Sequence, residues 1–175
     1  APEAILESIS LLGRWMDQRS VVRVIGAGRG LLAASMAAHR LSAGGARVHT
    51  VGDIMPMPHS LRGGGVIAVA AEGQSEAIAR LLIKMRNKNR DIKVLGVGYD
   101  SSTRFADICE VFIPVPGDRQ GPRSNETATS VQDYIIAEIL DTLVLFAGHE
   151  LGYTDNHWKL GYGDFDMAMF GELED

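Results

Sequence analysis

Arg29 lies in a glycine turn, Gly26-Ala27-Gly28-Arg29-Gly30, that follows the apolar run Val21 to Ile25 and opens a helix-like segment from Leu31 to Leu41. A turn of this shape points backbone N–H groups and the positive end of a helix at one spot, which suits an anion or a sugar. Gly28 and Gly30 let the chain turn sharply and approach a ligand closely, and Arg29 adds a cation. The plain alternative for Arg29 is a structural or surface ion pair. Glu72 ends a second apolar run, Val66 to Ala71, where open α/β sheets place their ligands. It offers a base or a partner for a ligand hydroxyl; otherwise it is a carboxylate favoured by a nearby helix start. Ser75 reads first as a helix N-cap whose hydroxyl can also face a ligand. Asp53 fits either a ligand contact or a turn cap. Glu126, in the first turn of a long helix, is the carboxylate of that helix nearest the sheet edge. Carboxylates and imidazoles placed like this can move protons between carbon and oxygen.

Positioning these groups takes a sheet with helices on both sides. Residues 3–17 carry Ile5, Leu6, Ile9, Leu12, Trp15 and Met16 at spacings that share one side of a helix. Strands are expected over Val21 to Ile25, Arg47 to Val51, Val66 to Ala71, Ile92 to Val97 and Val111 to Val115. These are near-continuous apolar runs, as in parallel strands covered on both faces. The helices between them predict a three-layer α/β fold with a five-stranded, doubly wound parallel sheet of flavodoxin-like type. A long helix runs from Asn125 to Glu150. Along it, Glu126, Ser130, Asp133, Ala137 and Asp141 fall on one face, with Val131, Ile135, Ile139 and Leu143 opposite, so the first set reads as a solvated stripe. The tail beyond Gly152 is rich in aromatic residues and has no clean period.

Composition narrows the field. With 175 residues, 46% hydrophobic and 22% charged, the chain reads as a single domain, core about 3–150, with a tail over 151–175 that packs on its own or a neighbouring subunit. A net charge of −5 with no basic run argues against nucleic acid. No apolar run reaches the roughly 18 residues of a membrane span, and no signal pattern opens the chain, so a cytoplasmic protein is expected. The five histidines are scattered and the single Cys109 cannot build a thiolate site, so neither a metal nor another cofactor is expected. The apolar surface left over on the helices and the aromatic tail predict a homo-oligomer, a dimer or tetramer.

Read together, these segments resemble a sugar isomerase (SIS) domain over roughly residues 3–161. The resemblance rests on Ile25-Gly26-Ala27-Gly28-Arg29, on Val51-Gly52-Asp53 and on Val66 to Val69. It continues through Ser101 to Asp107 ahead of Val111 to Gly117, and through Thr127-Ala128-Thr129 at the start of the long helix. It is strongest toward 3-hexulose-6-phosphate and arabinose-5-phosphate isomerases. It implies an oligomer that binds a sugar or sugar phosphate at the C-terminal edge of the sheet and interconverts aldose and ketose through an enediol, with no cofactor. It also implies site roles for His59 in the loop after the second strand and for His157, which is similar to the family's C-terminal histidine. Gln74 stands where the family has a glutamate and can donate a hydrogen bond but cannot act as a base. Asp133 matches a helix carboxylate of the hexulose-phosphate isomerases; between the two, Glu126 is preferred as base. The candidate set is then Glu72, Glu126 and His157 for catalysis, with Gly28, Arg29, Gly30, Asp53, His59, Gln74 and Ser75 for binding.

The chain departs from the family in the loop after the third strand. Where the family has Ser-Gly-Ser-Gly-Glu-Thr, this sequence has Ala70-Ala71-Glu72-Gly73-Gln74-Ser75. Ala70 and Glu72 replace two phosphate-binding serines, and a carboxylate repels a phosphate. A non-catalytic sugar-phosphate-binding protein is therefore the second reading. A dinucleotide-binding domain is the third, but its G-x-G-x-x-G fingerprint fails in this turn.

Overall fold

The computed structural model describes residues 2–26, 29–50, 64–70, 75–115 and 126–161, with backbone alone for 126–131, 160 and 161. Five parallel strands, β1 (Val21–Gly26), β2 (Arg47–His49), β3 (Gly65–Ala70), β4 (Lys93–Gly98) and β5 (Val111–Pro114), form one sheet in the order β2-β1-β3-β4-β5. Helices α1 (Pro2–Asp17), α2 (Arg29–Ala43) and α5 (Glu126–Glu150) pack on one face, and α3 (Ser75–Lys88) and α4 (Arg104–Ile108) on the other. This is the expected three-layer α/β arrangement.

Strand alternation builds two cores. Val22 and Val24 of β1, Ile67 and Val69 of β3, and Leu95 and Val97 of β4 face the α1/α2/α5 layer. Val21, Ile25, Val66, Ala68 and Val94 face α3 and α4. All six residues of β3 are buried, which explains why its sequence is apolar at successive positions rather than at alternate ones. Small residues set the layer spacing. Ala34 and Ala37 are fully buried where α2 packs, and Gly65 lies beneath the Trp15 indole, where a side chain would overlap the ring.

Two expectations change, for the second strand and for the tail. The second strand is shorter than Arg47 to Val51, because only Arg47, Val48 and His49 pair with β1. Between β4 and β5 the chain forms α4, in line with the helices expected between strands, and the Thr103 hydroxyl starts it by accepting from the Ala106 N–H. The tail is not irregular throughout: Asp155–Gly161 form α6. Among the described residues, Tyr153 and Trp158 pack against the core, with Trp158 lying on a surface left open by Gly148.

Candidate functional site

β1 is flanked by β2 on one side and β3 on the other, so the chain reverses its direction of travel across the sheet between β1 and β3. Ligands of open α/β folds bind in the crevice outside the carboxyl ends of strands at such a point. Gly26 of β1 pairs in register with Val69 of β3, and α2 and α3 begin just beyond these strand ends. Arg29 is the first residue of α2 and Ser75 the first of α3. Two helix N-termini, each carrying about half a positive charge, therefore flank the crevice.

Gly30 has a packing reason to be glycine. A Cβ there would lie 3.1 Å from Cγ1 of Val69, so the first turn of α2 sits directly on β3. This close seating brings Arg29 to the edge of the sheet. Its side chain is half exposed, and Nε lies 2.8 Å from Oδ2 of Asp133 on α5, a side chain only 13% exposed. The contact is one of charge rather than an aligned hydrogen bond. Both Asp133 oxygens are buried, and neither accepts a hydrogen bond among the described residues.

Asp133 corrects the reading of α5. The stripe through Asp133, Ala137 and Asp141 faces α2 and not solvent. Ala137 is buried, and Asp141 accepts a 2.5 Å hydrogen bond from Nε of Arg40 near the other end of α2. The opposite set is not uniformly inward either, since Ile135 is 37% exposed. The signal was in the sequence. Arg29 and Arg40 are 11 residues apart and Asp133 and Asp141 are 8 apart, roughly 16 and 12 Å along helix axes, a pattern two adjacent helices can bridge.

Between the two ion pairs, Leu32, Met36, Tyr134 and Ala137 line a groove of about 340 Å³ that ends at Arg29 and Asp133.

His157 stands elsewhere. It stacks on Tyr153, whose hydroxyl donates to the Gly44 carbonyl just past the C-terminal end of α2. Arg29 is at the other end of that 15-residue helix, ~20 Å away along its axis. The structure therefore groups Arg29, Gly30 and Ser75 near the crevice and leaves His157 at the opposite edge of the sheet. Glu126 is the first residue of α5, but its side chain lies outside the description. Gly28, Asp53, His59, Glu72 and Gln74 fall outside the described residues.

No protein-family model matches the sequence, and no curated protein does. Solved structures do. The sugar isomerase domain of an RpiR transcription factor from Sphaerobacter thermophilus superposes with a TM-score of 0.67 over 95% of this chain and 87% of its own, at 16% identity. The fold is that of a sugar isomerase domain. A Methanococcus jannaschii protein, whose structure infers a molecular function of 3-hexulose-6-phosphate isomerase, shares this fold with a TM-score of 0.62, covering 90% of this chain and 94% of its own at 16% identity. Vibrio vulnificus NanR, complexed with ManNAc-6P, shares it with a TM-score of 0.69 over 99% of this chain and 63% of its own, at 13% identity. Identities this low carry the sugar isomerase fold and not an activity.

Among the described residues no helix is long and apolar enough to cross a membrane.

Proposed function

We propose that this chain binds a phosphorylated sugar in the crevice beyond β1 and β3 and interconverts its aldose and ketose forms through an enediol. The observation that carries the reading is Arg29, a cation set at the start of α2 beside the crevice where the chain reverses its direction. The backbone of Gly28 and Gly30 and the Arg29 guanidinium receive the anion. Asp53, His59, Gln74 and Ser75 hold sugar hydroxyls. Glu126 is the preferred base, and Glu72 the second carboxylate in the proton shuttle. The inferred isomerase function of the M. jannaschii protein and the ManNAc-6P bound by NanR support a sugar phosphate as the ligand class.

Two further points complete the reading. Nine of the ten large hydrophobic side chains exposed among the described residues lie on α1, α2, α5 or the residue just after α5, and one lies on α3. This one-sidedness supports a second copy of the chain packing on that layer. His157, at the wrong end of α2 for its own crevice, acts as a proton carrier only in the crevice of another copy.

A binding protein without catalysis is the second reading, favoured by Ala70 and Glu72 where phosphate-binding serines are expected. Deuterium exchange decides between them. Incubated in D2O with a bound aldose or ketose phosphate, an isomerase washes deuterium into the carbon beside the carbonyl. A sugar phosphate that binds without exchange assigns the chain to the binding class.

A further inference from the structure

We infer that Asp133 is a positioning residue, whose buried carboxylate holds Arg29 at the N-terminus of α2 in the place where an anionic ligand meets it. This rests on the sugar-phosphate reading above and adds to it how the cation is held. A cation at a helix N-terminus sits against the positive end of the helix dipole and is pushed outward. Half of the Arg29 side chain is open to water, so packing alone does not fix it. The opposing pull comes from Asp133, at 2.8 Å from Nε. Asp133 in turn needs the guanidinium. Its two oxygens are buried without a hydrogen bond among the described residues, and a buried carboxylate left without a counter-charge is strongly disfavoured. The Asp133 carboxylate thus draws Arg29 toward α5, and the guanidinium supplies the counter-charge that the carboxylate needs. A guanidinium carries five N–H donors on a rigid plane. Holding Nε against the carboxylate narrows the positions of that plane before a phosphate arrives and lowers the entropic cost of ordering a long side chain on binding. Lysine, a single-point donor on a flexible stem, cannot do both tasks at once.

The same two helices supply an internal control. Arg40 and Asp141 join α2 to α5 at its other end, through an aligned hydrogen bond and with both side chains about a quarter exposed. Asp141→Asn loosens the α2–α5 contact without touching Arg29.

The test compares wild type, Asp133→Asn and Asp141→Asn in two measurements: inorganic phosphate affinity by calorimetric titration, and the order of the Arg29 Nε–H by ¹⁵N relaxation without ligand. Asp133→Asn is expected to weaken phosphate binding about tenfold, as loss of an outer partner of a binding group commonly does, and to lower the Arg29 order parameter. Asp141→Asn is expected to leave both within about twofold of wild type. Phosphate affinity unchanged or raised in Asp133→Asn overturns the inference, since Asp133 then competes with the ligand for Arg29. An equal loss in Asp141→Asn also overturns it, because Asp133 is then only a staple between helices. If the wild-type chain binds no phosphate, the sugar-phosphate reading fails by itself. The Nε–H order then still decides, unchanged order overturning the claim that Asp133 fixes Arg29.

Discussion

The ring of His157 lies on that of Tyr153, centroids 3.5 Å apart and planes within 19° of parallel. Tyr153 in turn anchors to the Gly44 carbonyl through its hydroxyl, so the stack ties α6 to the end of α2 remote from Arg29. Removing the imidazole in His157→Ala should cost about 0.5–1.5 kcal/mol of stability, the value of an aromatic pair beyond its buried area. Urea unfolding measures this. Phosphate affinity should stay within twofold, because the ring stands ~20 Å from Arg29 of its own chain, and a proton carrier in another copy's crevice need not hold the anion. A larger loss of affinity would place the ring against a bound ligand.

Gly65 and Trp15 make a sharper stability test. The indole rests where a Cβ on Gly65 would be, in a buried strand that has no slack. Gly65→Ala should destabilise the fold by ~1–3 kcal/mol through overpacking, read as a lower urea midpoint at unchanged slope. An unaltered midpoint would mean that Trp15 packs elsewhere.

Cys109 should be inert in the folded chain. Its thiol donates to the Phe105 carbonyl at 3.1 Å, and burial pushes it up from 9.0 to about 12, with Arg86 pulling weakly the other way. Because the folded value is raised, the thiol's contribution to stability is complete below about pH 9 and is lost as pH climbs toward 12. At pH 8, iodoacetamide should label the native protein at least tenfold more slowly than the urea-unfolded chain, since thiolate is the reacting form. Equal rates would contradict this environment.

Self-association should run through the α1/α2/α5 layer. Leu32, Met36 and Tyr134 are 68%, 61% and 77% exposed around one groove, so Met36→Glu is placed on surface and not in core. Light scattering should give more than one copy for the wild type and a smaller species for Met36→Glu, with each subunit still folded. A monomeric wild type would refute the packing.

The parallel strands and their layers were legible because the run from Val66 is apolar at successive positions, a pattern that a parallel strand buried on both faces imposes. The end of β1 and the start of α2 on either side of the glycine run were legible for a similar local reason. What escaped was non-local. The Asp133–Asp141 stripe looks like a solvent face on a helical wheel, and only the two arginines on α2, some hundred residues earlier, turn it inward. His157 shows the same limit in reverse. Its motif is local, but the end of the sheet it occupies is set by Tyr153 reaching Gly44, a contact across 109 positions of sequence.

Binding at Arg29 tests the account most directly. Wild type and Arg29→Ala are titrated against pentose and hexose phosphates, the same sugars without phosphate, and NAD, with melting temperature and calorimetry as readouts. A sugar phosphate should raise the wild-type melting temperature in proportion to its affinity, and Arg29→Ala should weaken that binding at least tenfold. Stabilisation by NAD alone, or a sugar phosphate that binds both proteins equally well, would contradict the account.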